Sequence, residues 1–516
     1  MRGRVKATVA VGLFIAAASA ATAARGVFHG QDTGTEFRGR RARNVILFVG
    51  DGMGVSTVTA TRVYSVGVAG QLVMDQFPYT ALSRTFSSDA ITPDSAPTMV
   101  AMMSGQNTNG GVLGLDETTE YADFNGDGDG KPLRTLLEQA KQNGMRVGVV
   151  STARITHATP AATYAHINNR DQENAISLQA LPTDATYNAA LGDGIDVLFG
   201  GGRRHFVPNS SVDEESARGS RTDGRDLRTE YRAAGYTYVH DTAGFTTLTR
   251  QSLPVLGLFE GSHMEWEWDR ASDAGGEPSL TAMTLKSLDL LKGRQSRRGG
   301  SQRDNGYFLM VESGRIDHAH HDGSAFRALH DTQEFDKAIA AAVQAVDLRE
   351  TLIIVTADHS HVFTIAGYTL RPRSEVPYPL QPCAGSNYGA LAGNGILDLV
   401  YDWNASGGCA EASKDSNGVP YTALVYGNGP GYRAGVRVDP TSDTFVGIPG
   451  STNLPGPDPT GFADPNYRPE SAVPLTSETH AAEEVAIYAV GPGAEVVRGT
   501  VKNTFIYHVM AKALGF

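Results

Sequence analysis

The 516-residue chain contains little cysteine and no excess of positive charge. Its two cysteines are too few for the disulfide framework that holds many small secreted domains together. Lysine and arginine total 44 against 56 acidic residues, and the net charge is −12. This balance argues against a nucleic-acid binder, which needs a basic face. Small anionic ligands stay allowed, because bound metal ions reverse the local field of a site.

Long apolar runs are scarce as well. The run near the N terminus, residues 7–18, is too short to span a membrane. It follows a basic start and precedes small-residue cleavage sites at residues 18–20 and 21–23. We therefore predict that residues 1–23 are a signal peptide and that the mature chain is exported to the periplasm or the medium. No other stretch predicts a membrane span.

Residues 371–474 are rich in Gly, Pro, Asn and Ser and show little helical periodicity. We interpret this segment as a loop-rich subdomain inserted in one large domain, residues 24–516. It contains both cysteines, Cys383 and Cys409. In an exported protein the two can pair, and we predict a disulfide, with two unpaired thiols as the alternative.

Short apolar runs that read as buried strands alternate with helical patterns along the rest of the chain. The alternation predicts an α/β fold, with a mostly parallel central sheet flanked by helices on both faces. The predicted strands are residues 45–49, 147–150, 195–199, 307–311, 352–355 and 485–490. The predicted helices are residues 95–104, 132–143, 280–292 and 325–346.

Acidic residues and histidines follow several of these strands. Asp51 comes after the first strand, Glu312 after residues 307–311, and Asp358 with His359 after residues 352–355. Parallel strands end at one edge of a sheet, so these side chains can converge. Histidine and carboxylate suit zinc. The His-rich runs at residues 312–321, 356–361 and 478–480 supply enough ligands for two zinc ions.

Ser95 stands at the predicted start of a helix, in the run PDSAPT. Free backbone N–H groups at such a position face an anion, which makes Ser95 a candidate nucleophile. The alternative is an ordinary N-cap serine. A metal ion nearby would lower the pKa of the hydroxyl and replace a histidine base.

Taken together, the motifs resemble those of the alkaline phosphatase family, from Asn44 almost to the C terminus. Seven of them occur in family order: GDGMG at residues 50–54, PDSAPT at 93–98, VGVVSTARITHATPAATYAH at 147–166, GGGR at 200–203, ESGRIDHAHH at 312–321, TADHSH at 356–361 and ETHAAEEV at 478–485. The resemblance implies hydrolysis of small phosphate monoesters by a homodimer with two zinc ions and one magnesium ion.

Site residues follow from the resemblance position by position. It implies that Ser95 is phosphorylated and that Arg170 clamps the phosphate. The implied ligands are Asp317, His321 and His480 for one zinc, Asp51, Asp358 and His359 for the other, and Asp51, Thr159 and Glu312 for magnesium. His157 and His318 replace the Asp and Lys of some bacterial members, which we expect to loosen magnesium binding and raise the pH optimum.

Calcium is a further expectation at two places. Glu230, Phe259, Glu260 and Glu277 fall where animal members carry a calcium site, although the family usually shows Asp at the last position. Residues 123–130, DFNGDGDG, alternate oxygen ligands as a calcium loop does, but Arg134 stands at the twelfth position, where Glu is expected. An acidic surface turn is the alternative for this loop.

Other functions are weaker alternatives. A phosphodiesterase of the same superfamily stays open, because pocket size decides between monoesters and diesters. A sulfatase needs Arg four positions after the nucleophile, and Met99 stands there. A metal-binding protein with a dead site would lack a ligand or the nucleophile, and this chain lacks neither.

Overall fold

The computed structural model describes residues 40–123, 130–293, 305–371, 375, 381–384, 386, 395–404, 406, 408–416, 418, 420–432 and 464–516. The predicted signal peptide and most of the 123–130 loop lie outside the described residues. No helix within the described ranges is long and apolar enough to cross a membrane.

A ten-stranded sheet forms the centre of the molecule. Its strands are β1 (Asn44–Gly50), β2 (Tyr79–Arg84), β3 (Arg146–Arg154), β4 (Val197–Gly201), β5 (Thr237–Val239), β6 (Val255–Leu258), β7 (Tyr307–Ser313), β8 (Thr351–Ala357), β16 (Val485–Val490) and β17 (Thr500–Lys502). Their order across the sheet is β17-β2-β16-β8-β1-β7-β3-β4-β6-β5. The predicted α/β class is confirmed.

Among these described strands, only β16 runs antiparallel to its neighbours, β8 and β2. Every other pair in the sheet is parallel. The carboxyl ends of β1, β3, β7 and β8 therefore meet at one edge. This edge is where the sequence placed its polar residues.

Helices cover both faces of the sheet. They are α1 (Val55–Val66), α2 (Ser95–Ser104), α3 (Leu136–Gln142), α4 (Ala158–Ala161), α5 (Glu173–Gln179), α6 (Leu227–Ala233), α7 (Thr242–Thr247), α8 (Leu280–Leu291), α9 (Arg315–His321), α10 (Ala325–Ala345) and α11 (Phe505–Leu514). Val45, Leu47 and Val49 of β1 enter one hydrophobic core, and Ile46 and Phe48 enter the other. Burial on both faces explains why β1 is apolar throughout.

Some boundaries differ from the predictions for local reasons. The helix predicted at residues 132–143 begins only at Leu136, because a capping box precedes it. Thr135 Oγ1 accepts from the Glu138 N–H at 3.2 Å, and the Glu138 carboxylate accepts from the Thr135 N–H at 2.8 Å. Helix α1 is rich in Val and Thr, residues that disfavour helices in isolation, so its pattern gave no helix signal.

Described parts of the 371–474 segment form short strands. β11 (Tyr401–Asn404) pairs with β12 (Cys409–Ala412), and β13 (Leu424–Gly429) lies between β10 (Phe363–Ile365) and β14 (Ser471–Pro474). Cys383 and Cys409 form a disulfide, as predicted. Two further short strands, β9 (Ser360–His361) and β15 (His480–Ala481), pair with each other beside the main sheet.

Candidate active site

Three carboxylates lie at the ends of adjacent central strands. β1 pairs with β7 and β8 on its two sides, and Gly50 stands opposite both Ser313 and Ala357. Asp51 therefore lies between Glu312 and Asp358, and all three residues are at most 1% exposed. Burial, followed by the charges of neighbouring carboxylates, raises the pKa of Asp51 well above its usual range. Such a group is stable as an anion only when cations accompany it.

Gly52 makes the turn after Asp51 possible. Its φ is +66°, and a Cβ there would lie 2.4 Å from His361 Nε2. The Gly52 N–H also donates to Asp358 Oδ1 at 3.0 Å. Only glycine permits this close approach between the β1 turn and the histidines.

Ser95 is the first residue of α2 and is 2% exposed. Its Oγ lies 3.4 Å from Asp51 Oδ1 and 3.3 Å from His359 Nε2. The N-cap of α2 is Asp94, so the alternative that Ser95 is an ordinary N-cap is wrong. The hydroxyl instead faces the buried carboxylate and imidazole that follow β1 and β8.

Asp51, Asp358 and His359 form one group of candidate metal ligands, whose ligand atoms lie within 4.8 Å of one another. Asp51 Oδ2, Asp358 Oδ2 and His359 Nδ1 are buried without a hydrogen-bond partner. Burial holds the pKa of His359 well below its usual value, so its imidazole is neutral. Two carboxylates and a neutral imidazole suit zinc.

A second group combines Asp317 and His321, one turn apart on α9, with His480 at the start of β15. The Nε2 atoms of His321 and His480 are 3.0 Å apart, and His480 Nε2 lies 3.3 Å from Asp317 Oδ1. His321 Nδ1 lies 2.6 Å from the Glu478 carbonyl oxygen, and His480 Nδ1 lies 2.9 Å from the Pro93 carbonyl oxygen. These carbonyls accept Nδ1–H, which leaves both Nε2 lone pairs free for a metal ion.

The sequence analysis did not assign a role to His361, the last residue of the TADHSH motif. Its Nε2 lies 2.8 Å from Asp317 Oδ1, and its Nδ1 contacts the Glu478 carboxylate. Burial by itself would lower the pKa of His361, but hydrogen bonds with Asp317 and Glu478 raise it to about 9. His361 therefore bridges Asp317 and Glu478, and one of its ring nitrogens lies within 4.8 Å of the candidate ligand atoms of Asp317, His321 and His480.

A third group surrounds Glu312. The ligand atoms of Asp51, His157 and Glu312 lie within 4.8 Å of one another, and Thr159 Oγ1 and Glu312 Oε1 are buried without partners. Burial is the main cause that raises the pKa of Glu312 to about 8. Ser151, which lies in β3, donates to the other carboxylate oxygen of Glu312. This oxygen-rich set fits magnesium.

Arg170 lies at the opening of the site. It donates to the Asp94 carboxylate and to His157 Nε2, the latter at 2.8 Å. The His318 ring contacts His263, with 3.9 Å between ring centroids, and His157 packs against both. His263 was not among the predicted residues, because it lies in a loop far from the other motifs.

Each ring of this histidine wall, formed by His157, His263 and His318, contacts an arginine. The arginines are Arg170, Arg154 and Arg315, respectively. Burial is the first cause that lowers the pKa of His318 to about 3 and that of His157 well below its usual value. The rings are therefore neutral acceptors for the guanidinium groups, two of which also pair with carboxylates, Arg154 with Glu173 and Arg170 with Asp94.

Comparisons with known proteins agree with this geometry. The profile of the family described as "Alkaline phosphatase" matches residues 42–516. The human tissue-nonspecific isozyme of alkaline phosphatase is 36% identical over 496 residues, which cover 92% of this chain and 83% of that protein. The alkaline phosphatase of Gadus morhua is 34% identical and covers 92% of each chain. The chain belongs to the alkaline phosphatase family.

Solved structures of the family share the fold. Thermus thermophilus alkaline phosphatase superimposes with a TM-score of 0.61 at 24% identity, covering 94% of each chain. The enzyme from the Antarctic bacterium TAB5 gives 0.56 at 22% identity, covering 92% of this chain and 99% of that one. As a family member, the chain is a phosphate monoester hydrolase that uses divalent metal ions.

The expected calcium ligands do not all lie together in this family member. Both oxygens of Glu230 accept from Arg225, so Glu230 is a poor calcium ligand. Glu277 lies instead near Glu260 and Asp273, whose charges add to burial and raise its pKa to about 9. Burial raises the pKa of Glu215, and the charges of Glu260 and Asp273 raise it further. Buried carboxylate oxygens of Glu215, Asp273 and Glu277 lack hydrogen-bond partners, and the sequence analysis named neither Glu215 nor Asp273.

We expect Arg170→Ala to weaken the binding of inorganic phosphate while the metal ligands stay intact. Hydrogen bonds to a charged group contribute about 1.5–3 kcal/mol, so the inhibition constant should rise about 10- to 150-fold. Arg225→Ala is the matched control. Arg225 also pairs with carboxylates, but its partners Glu230 and Asp184 are not among the proposed phosphate-site residues. An unchanged phosphate inhibition constant in Arg170→Ala would contradict the clamp.

Proposed function

We propose that the chain hydrolyses phosphate monoesters through a phosphoserine formed on Ser95. The observation that carries the proposal is the position of Ser95 Oγ, 3.3 Å from His359 Nε2 and 3.4 Å from Asp51 Oδ1, at the start of a helix. The hydroxyl thus lies beside Asp51 and His359, whose other candidate ligand atoms, Asp51 Oδ2 and His359 Nδ1, are buried without hydrogen-bond partners.

The proposed metal content is two zinc ions and one magnesium ion. Asp317, His321 and His480 would hold one zinc ion, Asp51, Asp358 and His359 the other, and Asp51, Thr159 and Glu312 the magnesium ion. When bound, these cations lower the pKa of the serine hydroxyl and stabilise charge on the attacking and leaving oxygens. The imidazole and carboxylate donors of the first two groups favour zinc, and the oxygen donors of the third favour magnesium.

The chain's own residues position the substrate and its serine nucleophile. Arg170 donates two parallel hydrogen bonds to phosphate oxygens once it turns from Asp94. Ser95 Oγ forms a bond to phosphorus, and the bond from phosphorus to the leaving oxygen breaks. Water then attacks the phosphoserine, which returns Ser95 to its hydroxyl form and releases inorganic phosphate. His361 keeps Asp317 oriented during both steps.

We expect Ser95→Ala to lose about 10³-fold or more of the turnover of p-nitrophenyl phosphate, because no other hydroxyl replaces the nucleophile. Bound zinc, measured by elemental analysis, should stay at the wild-type level. Ser104→Ala is the control: Ser104 ends the same helix and donates only locally, to the Val100 and Gln106 carbonyls. Near wild-type turnover in Ser95→Ala would remove Ser95 from the mechanism.

If the wild type turns over bis-p-nitrophenyl phosphate faster than p-nitrophenyl phosphate, the result would favour the phosphodiesterase alternative.

Magnesium should be the most easily lost of the three ions. A neutral imidazole at position 157 is a poor ligand for a cation that prefers oxygen, and Arg170 already occupies its Nε2. A His-to-Asp mutant of the TAB5 enzyme is described with Mg bound in its M3 site. The carboxylate of an aspartate offers this ion an oxygen donor.

His157→Asp should therefore retain more magnesium than the wild type after mild chelation, and its pH optimum should move downward. Elemental analysis after chelation measures the first effect, and a pH–rate profile measures the second. His240→Asp, a change at a partly exposed histidine beside Asp241, is the control. Equal magnesium retention and superimposable profiles in His157→Asp and the wild type would contradict the proposal.

We further propose that Glu215, Glu260, Asp273 and Glu277 bind calcium, with Phe259 next to them at the end of β6. Glu277→Gln should lower the calcium content. It should also reduce the rise in Tm that added calcium causes in the wild type, because an ion that binds only the folded state stabilises that state. Glu230→Gln should leave both quantities unchanged. The reverse pattern would return Glu230 to the ligand set.

Export after removal of residues 1–23 and assembly as a homodimer are also part of the proposal. The disulfide between Cys383 and Cys409 supports an oxidising compartment. Native mass spectrometry of the secreted protein measures both the chain mass and the number of copies; a monomer of full-length mass would contradict both.

A further inference from the structure

Tyr121 is an exposed aromatic residue at the opening of the proposed phosphate site. The residue is 46% exposed, although its neighbours Thr119 and Asn168 are buried. Its hydroxyl donates to Asp171 Oδ2 at 2.5 Å, and Asp171 directly follows Arg170. A large ring left in solvent beside a binding residue is a candidate contact for a ligand.

The ring of Tyr121 lies directly on the backbone of Gly111. A Cβ at Gly111 would be 2.3 Å from Tyr121 Cδ2, and the φ of +73° at this position also favours glycine. The Gly111 carbonyl accepts from the Arg170 N–H at 2.9 Å. Tyr121 is therefore tied to the Arg170 segment at both ends, by its hydroxyl and by its ring.

The charges that act on Tyr121 place it close to the clamp. Its hydrogen bond to Asp171 is the largest cause that raises the pKa of the phenol to about 12, and Arg170 and Asp94 also act on it. The phenol is thus neutral in the alkaline range. Arg170 donates to Asp94, the residue before Ser95, so Tyr121 is linked to the nucleophile segment through Asp171, Arg170 and Asp94.

We propose that Tyr121 stacks on the leaving group of planar aromatic phosphate monoesters and so gives the enzyme a preference for aryl over alkyl esters. The inference rests on the proposed function, which places the phosphate between Ser95 and Arg170. The substituent on the ester oxygen of the bound substrate then extends out of the cleft across its rim. An aryl group there gains aromatic contact worth about 0.5–1.5 kcal/mol, or about 3- to 10-fold in affinity, and a short alkyl group gains none.

A competing location for the leaving group is the groove of about 490 Å³ lined by residues 84–91, Ala482 and Glu484. Ile91 borders it and is 83% exposed. Asp89 of this groove accepts from the Gly110 N–H at 2.9 Å, so the groove and Tyr121 border the same glycine pair. The aromatic residue of the groove, Phe86, is only partly exposed, whereas Tyr121 is 46% exposed and lies beside Arg170, which is why Tyr121 is the better contact for a planar group.

The test compares two inhibitors that lack a cleavable ester, phenylphosphonate and methylphosphonate, on the metal-loaded protein. Tyr121→Ala should raise the inhibition constant of phenylphosphonate about 3- to 10-fold relative to that of methylphosphonate. Tyr121→Phe should keep the wild-type ratio, because it retains the ring and loses only the hydrogen bond to Asp171. For p-nitrophenyl phosphate, the loss in Tyr121→Ala should appear in KM and not in kcat, since stacking acts equally on substrate and transition state.

Three outcomes would overturn the inference. Equal increases for both phosphonates in Tyr121→Ala and Tyr121→Phe would show that the residue acts only through Asp171 and Arg170. A loss of the aryl preference in Phe86→Ala or Ile91→Ala, with Tyr121→Ala unchanged, would place the leaving group in the groove. If the ratio of the two inhibition constants stays the same in every variant, neither Tyr121 nor the groove contacts the leaving group. Absence of any monoester turnover in the wild type would instead contradict the proposed function, because the phosphonate ratio is measured without turnover.

Discussion

The burial of Asp51 between two other carboxylates is the constraint on which the rest of the site depends. Asp51, Glu312 and Asp358 come from the ends of three neighbouring strands, and each is at most 1% exposed. Three anions in this position repel one another and lose their hydration, so the pKa of each carboxyl rises and the ionised forms are stable only beside cations. The orphaned oxygens of all three residues are consistent with this need.

The surrounding structure orients the ligands around that centre. Backbone carbonyls of Glu478 and Pro93 set the tautomers of His321 and His480, and His361 joins Asp317 to Glu478. These contacts bring chain segments more than 100 residues apart to one point. They also show why short strands such as β9 and β15 matter, because their pairing places His361 opposite His480.

The opening of the site has a different character from its floor. Its floor consists of the three buried carboxylates, whereas three arginines contact the histidine wall and Tyr121 lies beside Arg170. Arg154 is paired with Glu173 and Arg170 with Asp94, so an incoming phosphate ester competes with Asp94 for Arg170. The neutral rings of the wall accept hydrogen bonds from the guanidinium groups and so hold them in place without cancelling their charge.

Several features were determined by the sequence alone. The apolar runs of β1, β7 and β8 predicted buried parallel strands, and the polar residues that follow them predicted a site at one sheet edge. The family motifs then assigned Ser95, Arg170 and the histidines. These features are local: each depends on a short run of residues whose burial pattern or chemistry is visible within it.

Only the tertiary structure decided the contacts between distant segments. It placed His263 against His318 and His361 against Asp317, and it brought Asp273 near both Glu215 and Glu277, while it paired Glu230 with Arg225. It also laid Tyr121 on Gly111 beside Arg170. A charged or aromatic side chain in a loop carries no periodicity, so its partner is set by the packing of the whole sheet and its connections, which no local pattern records.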